Sequence, residues 1–210
     1  MPDYDSHSKM LEELGITDDY INASKVFARA ELSPENEDVF SDIDGWEFSV
    51  DQDITPEWFD EKDCAERMRK AVKEWAKTHI FVGQNGLAIS HGENIFIKDC
   101  KNVDICGSAT VKYICDNATV ENIYDNATVN YIYGSATVNY IYGSATVNYI
   151  YGNATVENIY GNVTVISSPY TKWNNSASLI IAGNATFKDC YSRTIYQAGG
   201  WKLVEVKKGK

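Results

Sequence analysis

Hydrophobic and polar positions recur through the middle of this chain with a period that does not drift. From Gly107 the sequence reads GSATVKYIC, DNATVENIY, DNATVNYIY, GSATVNYIY, GSATVNYIY, GNATVENIY and then the fading GNVTVISSP, a unit of nine residues. Gly or Asp comes first, Ser or Asn second, Ala third (Val163 in the last unit), Thr fourth, Val fifth and, until the last unit, Ile eighth. Ala, Thr and Val in succession follow the period of a strand, with Ala and Val on one face and Thr on the other. Ile stands three residues beyond Val, an odd offset that a straight strand would point outward. The chain must therefore bend between them if both are buried. The Gly/Asp-Ser/Asn pair supplies a second bend, because these residues tolerate turn conformations that others resist.

Nine residues at about 3.3 Å each trace roughly 30 Å, most of which is consumed by crossing a core about 10 Å thick twice. Two units per turn, or three, are expected to close one coil. Equivalent residues then stack in columns about 4.8 Å apart. Burying a Val or Ile contributes about 1.5–3 kcal/mol before entropy is subtracted, so neighbouring coils must share the burial and both ends must be capped. The predicted fold is mainly β: a right-handed β-solenoid (parallel β-helix) with a small α-containing N-terminal cap region. Residues 1–80 form an acidic segment with a capping helix, and residues 81–206 the solenoid, regular over 107–165.

The flanks read as caps. Thr55-Pro56 looks like an N-cap and first helical residue, and Cys64, Met68, Ala71, Val72 and Trp75 share one face of a helix running to about Lys77, placed to cover the first coil. Ile95-Phe96-Ile97 and Val103-Asp104-Ile105 are short strands that lead into the repeat, after a turn at Gly83-Gln84-Asn85-Gly86. Beyond Pro169 the pattern breaks, resumes at Gly183-Asn184-Ala185-Thr186-Phe187 and ends in the alternating strand Trp201-Lys202-Leu203-Val204-Glu205-Val206.

Composition adds a polarity to this plan. With 44% hydrophobic and 12% aromatic residues the chain belongs with globular proteins. Residues 1–63 hold 19 acidic against 4 basic side chains, whereas residues 64–210 hold 11 against 15. So concentrated an acidic segment repels nucleic acid, so no direct nucleic-acid binding is expected, and attracts basic protein surfaces. No apolar run approaches the roughly 18 residues of a membrane span, and Met1-Pro2-Asp3-Tyr4-Asp5 lacks a secretory pattern, so a cytoplasmic protein without a membrane partner is expected. Its five cysteines (Cys64, Cys100, Cys106, Cys115, Cys190) then read as reduced thiols.

The [Gly/Asp]-[Asn/Ser]-Ala-Thr-Val-x-x-Ile-Tyr units, preceded by Asp51-Gln52-Asp53-Ile54-Thr55-Pro56-Glu57-Trp58-Phe59 and the Trp75 helix, resemble repeat-containing proteins of bacterial phages and prophages, over roughly residues 45–206. The likeness to pentapeptide-repeat proteins, β-helices that include DNA-mimicking inhibitors of host enzymes, is more distant. The period of nine departs from their five-residue Ala-[Asp/Asn]-Leu pattern, so that role does not transfer by motif. A phage-like chain would act in the host cytoplasm. The phage-like group carries no established activity and no active-site residues to transfer.

Tyrosine is the residue type best suited to binding. Tyr131, Tyr140 and Tyr149 at position seven, and Tyr124, Tyr133, Tyr142, Tyr151 and Tyr160 at position nine, flank the inward Ile and are expected to project as outward columns. Such arrays suit protein interfaces and sugar rings; they also stack to stabilise a sheet. Cys106 and Cys115 at position nine imply that this column is partly buried and position seven more available. The candidate interaction surface is Tyr131, Tyr140, Tyr149, Tyr133, Tyr142 and Tyr151, with the acidic pairs Asp42/Asp44 and Asp51/Asp53, which lack the other ligands of a Ca²⁺ loop.

Other motifs carry less. The Thr column reads as ordinary outward β-branched packing, and the glycosylation patterns at Asn117, Asn126, Asn153 and Asn184 as accidents of turn chemistry. His7, His79 and His91 have no metal-binding spacing, nothing completes a triad around Cys64 and His79, and no phosphate loop or nucleophile elbow is present. A non-catalytic chain without cofactor or metal is expected, of unspecified oligomeric state, with a homo-oligomer left open. The leading functional expectation is a phage- or mobile-element-encoded protein that blocks a basic host enzyme, for instance one of defence or nucleic-acid processing. The alternative is a structural or glycan-binding part of a phage particle or cell surface.

Overall fold

The computed structural model describes residues 28–167, 179–198 and 200–206, together with Glu12 and Gly15. They belong to two compact units that divide between Ala76 and Lys77.

In the first unit, β1 (Ala30–Ser33) pairs antiparallel with β2 (Glu47–Val50), Ala30 facing Val50. Trp46 is buried at the foot of β2; its indole Nε1 donates to the Ser41 carbonyl at 3.3 Å, and the Trp46 carbonyl accepts from Arg69 Nη2 at 2.8 Å. Helix α1 spans Glu61–His79 and does not start at Thr55-Pro56. The physical reason is the Asp60 carboxylate, which accepts the Asp63 N–H at 3.0 Å and stands with Glu61 and Asp63 at the positive end of the helix dipole. Cys64, Met68, Val72 and Trp75 are half-buried along one stripe as the periodicity predicts, whereas Ala71 is exposed. Asp60→Ala is expected to cost about 1 kcal/mol of unfolding free energy, typical of a lost N-cap, read as a lower urea midpoint.

The second unit is the parallel β-solenoid. Strands β3 (Ile80–Val82), β5 (Ile95–Lys98), β7 (Thr110–Cys115), β9 (Thr128–Ile132), β11 (Thr146–Ile150), β13 (Thr164–Ser167), β15 (Thr186–Asp189) and β16 (Thr194–Gln197) make one sheet. Strands β4 (Ala88–Ile89), β6 (Val103–Ile105), β8 (Thr119–Ile123), β10 (Thr137–Ile141), β12 (Thr155–Gly161), β14 (Leu179–Gly183) and β17 (Gly200–Val206) make the other. From β3 to β15 consecutive strands alternate between the sheets. Thr137 faces Thr155 and Tyr131 faces Tyr149, so one regular coil is 18 residues, two units, and each unit stacks on the one two before it. The entry coils are tighter, with Ile80 opposite Phe96 and Ile89 opposite Ile105; the exit is wider, with Thr164 opposite Thr186.

The Ala, Val and Ile positions of the repeat form continuous columns that are almost wholly excluded from solvent. The odd offset of Ile is resolved at position six. In β10 and β8 the ladder pairs Thr137, Val138, Tyr140 and Ile141 with Thr119, Val120, Asn122 and Ile123, and passes over the sixth residue. Positions six and seven both face outward and Ile returns to the core. Fully buried Phe187 takes the Val column where the repeat resumes, opposite Val165. The last strands reverse: β16 runs antiparallel to β15 and β17 to β14, so the two sheets end on antiparallel partners.

Candidate functional site

Because two units close a coil, the tyrosines sort by sheet. Tyr113, Tyr131 and Tyr149 lie in register on the eight-stranded sheet, and Phe96 precedes them in the same ladder. Tyr140 lies on the other sheet, between Asn122 and Asn158. The expected column of Tyr131, Tyr140 and Tyr149 is therefore corrected: an odd and an even unit never stack directly. Position nine splits likewise, into Cys106, Tyr124, Tyr142 and Tyr160 at one corner and Cys115, Tyr133 and Tyr151 at the other.

Four pairs within these columns are close to parallel, whereas Tyr113 and Tyr131 are tilted by 46°. Tyr124 and Tyr142 are 5.1 Å apart with planes at 7°, Tyr142 and Tyr160 5.4 Å, Tyr133 and Tyr151 5.3 Å at 7°, and Tyr131 and Tyr149 5.4 Å at 14°. Such pairs contribute about 0.5–1.5 kcal/mol each beyond area burial. Their faces are occupied by neighbours, so the columns present mainly ring edges and hydroxyls. Tyr140 is 41% exposed and Tyr149 40%, while Tyr133, Tyr142 and Tyr151 are half-buried. Tyr160, at the end of its column, is exposed and meets Tyr140 edge-on at 6.2 Å.

Polar ladders run beside the rings. Asn148 Nδ2 donates to Asn130 Oδ1 at 3.0 Å, Asn139 Nδ2 to Glu121 Oε2 at 2.8 Å, Asn122 Nδ2 to Asp104 Oδ1 at 2.7 Å and the Thr155 hydroxyl to Thr137 at 3.1 Å. Strands β6, β8 and β12 of the seven-stranded sheet carry Asp104, Glu121 and Glu157, whereas β5, β7 and β15 of the other carry Lys98, Lys112 and Lys188, with Asp189 at the end of β15. Lys98 pairs with Asp116 at 3.3 Å, and Lys112 Nζ lies 5.8 Å from the Phe96 ring and 5.9 Å from the Tyr113 ring.

The acidic candidates lie in the first unit. Asp42 accepts the Asp44 N–H at 3.1 Å, Asp44 pairs with Lys73 at 2.5 Å and Asp51 with Arg29 at 2.7 Å, while Asp53 is exposed. Asp44 and Asp51 thus have cationic partners inside their own unit, the exposed Asp44–Lys73 pair contributing little to stability, while Asp42 caps a turn. Cys64 and His79 stand at opposite ends of α1, about 22 Å apart at 1.5 Å per residue, too far to act on one substrate atom. Among the described residues no three His, Cys, Asp or Glu are grouped to hold a metal, and no helix is long and apolar enough to cross a membrane.

One junction escaped the sequence reading. Buried Cys115 lies one coil below Tyr133 in the position-nine column, where the Tyr133 N–H donates to the Ile114 carbonyl at 3.0 Å and the Cys115 thiol donates to the Ile97 carbonyl at 3.6 Å. The Tyr113 ring meets Tyr133 edge-on at 5.9 Å, joining the position-seven ladder to the corner. Tyr113 shares position seven with Tyr131, and that was the available signal. Phe96 sits in a shortened coil and carried none.

Burial pushes the Cys115 thiol up to about 11, and burial followed by the neighbouring Cys115 sulfur raises Tyr133 well above an ordinary phenol. Both groups are held neutral by folding. Their contribution is complete below the unfolded-state values, near 9 for the thiol, and is lost as pH rises through the folded ones. Urea midpoints are expected to stay level to about pH 9 and to fall between 9 and 11, with a shallower fall in Cys115→Ala.

No family model matches this chain, nor does any curated protein or solved structure.

Proposed function

We propose that this chain is a non-catalytic scaffold that binds a partner protein and blocks a basic surface on it. The observation that carries the reading is the stacking of tyrosines into fixed columns flanked by Asn and Thr ladders. A partner meets side chains whose rotamers are already restricted by their neighbours, so little further ordering accompanies binding. Ring edges, hydroxyls and amides are the groups that protein surfaces satisfy. The acidic balance of residues 1–63 and the carboxylates of the seven-stranded face favour a partner with exposed Lys and Arg. A phage or mobile-element origin, with a host enzyme as the target, fits this chemistry and is part of the proposal.

The test is capture from bacterial lysate at low salt on the immobilised full chain, beside a Tyr131→Ala/Tyr149→Ala chain and a Tyr140→Ala chain. A protein retained by the parent and lost from either variant supports the reading. Recovery of nothing, or equal recovery by all three, rejects it.

Tyr140 favours a second reading, a glycan-binding element. Its ring has Asn122 and Asn158, not tyrosines, as ladder neighbours and so keeps a face for a sugar ring. Retention on bacterial polysaccharide, abolished by Tyr140→Ala, would establish this reading in place of the first.

A further inference from the structure

Four tyrosines connect the surface of the solenoid to a buried thiol. Tyr149, 40% exposed, stacks on Tyr131 at 5.4 Å; Tyr131 lies 5.6 Å from Tyr113, and Tyr113 lies 5.9 Å from Tyr133. Tyr133 stands one coil above Cys115 in the position-nine column, its backbone N–H donating to the Ile114 carbonyl at 3.0 Å, and Cys115 is 2% exposed. A shorter branch enters through Tyr151, 5.3 Å from Tyr133. Phenols are the side chains, with indoles and thiols, that lose one electron most readily, and charge hops between rings in contact far faster than it crosses the same span in one step.

We propose that Tyr149, Tyr131, Tyr113 and Tyr133 form a relay that carries one-electron oxidation from the surface to Cys115. The substrate class is an outer-sphere one-electron oxidant too large to reach the thiol. The oxidant removes one electron from Tyr149, whose phenol proton passes to water. Tyr131, Tyr113 and Tyr133 refill one another in turn, each regaining the proton it released. At the inner end Cys115 gives an electron together with its thiol proton to the Tyr133 phenoxyl oxygen, re-forming the phenol, so that the one proton released overall is the one left in water at the surface. The sum is Cys–SH plus oxidant giving a cysteine thiyl radical, one proton and the reduced oxidant; the S–H bond is the only bond broken. Tyrosyl and thiyl radicals lie at similar potentials, so no step is steeply uphill. This activity is independent of any partner protein.

Cys100 supplies the control. It is as buried as Cys115, but it stands in the alanine column, where the Thr119 N–H donates to its carbonyl as Thr137 does to Ala118. The full chain is illuminated without oxygen with tris(bipyridyl)ruthenium(II), pentaamminechlorocobalt(III) as electron acceptor and the nitrone DMPO as thiyl trap, then digested for mass spectrometry. DMPO is expected on Cys115 and not on Cys100. Tyr133→Phe, which keeps the ring and removes the oxidisable phenol, is expected to lower the Cys115 adduct several-fold. The Tyr131→Phe/Tyr151→Phe chain, which leaves Tyr133 in place above Cys115, is expected to give a similar loss by cutting both approaches. Undiminished Cys115 labelling in either variant would overturn the relay. So would Cys100 labelling equal to that of Cys115 in the parent, because the trap would then be reporting general opening of the core.

Discussion

Ile132→Ala is expected to lower the unfolding free energy by about 2–5 kcal/mol, the range for truncating a buried Ile in a core that relaxes only partly. Ile132 has no solvent exposure and lies in register between Ile114 below and Ile150 above. The hole would open in the middle of a column whose neighbours are pinned by their own ladders, so collapse around it is restricted. In a solenoid each coil is held by the coils on either side, and weakening a central one also weakens the coupling between the two halves. Urea unfolding followed by far-ultraviolet circular dichroism should give a lower midpoint and, where the halves uncouple, a broader transition. Tyr140→Ala, on an exposed ring of the next unit, should move the midpoint far less.

The contrast between Ile132 and Tyr140 marks where the sequence is informative. Inward positions were legible because a core of Ala, Val and Ile must repeat wherever the backbone repeats, and each of these residue types carries its own burial signal. Coil size was only bracketed: length arithmetic admits two or three units, and the choice is made by how the bend at position six and the Gly/Asp turn add up in space. That choice fixed which tyrosines touch. Tyr131 and Tyr149 share a column and Tyr140 does not, although all three occupy the same place in nearly identical units. The short strands Ile80–Val82 and Ala88–Ile89 carry too few residues to display a period, and they take their conformation from the coils they stack on. The cap at Asp60 was missed for a local reason. Thr55-Pro56 offered a plausible start five residues earlier, but Pro56 instead accepts the Phe59 N–H in a turn at 3.0 Å.

The turns hold the second large effect. Gly134→Val is expected to destabilise the chain by about 2–4 kcal/mol, combining left-handed backbone strain for a β-branched residue with a steric collision. Gly134 has φ +70°, and a Cβ there would stand 2.8 Å from the backbone nitrogen of Asp116, the equivalent residue one coil below. Neither side can yield cheaply, because the same turns are tied by the Ser135 N–H donating to the Asp116 carbonyl at 2.8 Å. Asp116 and Asp125 show that a side chain is tolerated at this position when it is short and polar: both have positive φ, and the Asp125 carboxylate accepts the Gly107 N–H one coil down at 3.2 Å. Gly152 provides the measure of backbone strain alone. Its φ is +69°, but a Cβ there would first meet the Gly134 carbonyl oxygen at 3.4 Å, an ordinary contact. Gly152→Ala should therefore cost only about 1 kcal/mol, the left-handed penalty for an alanine. Equal urea midpoints for Gly134→Val and Gly152→Ala would mean that the stacked turns are not in contact, and that the coil spacing assigned to this solenoid is wrong.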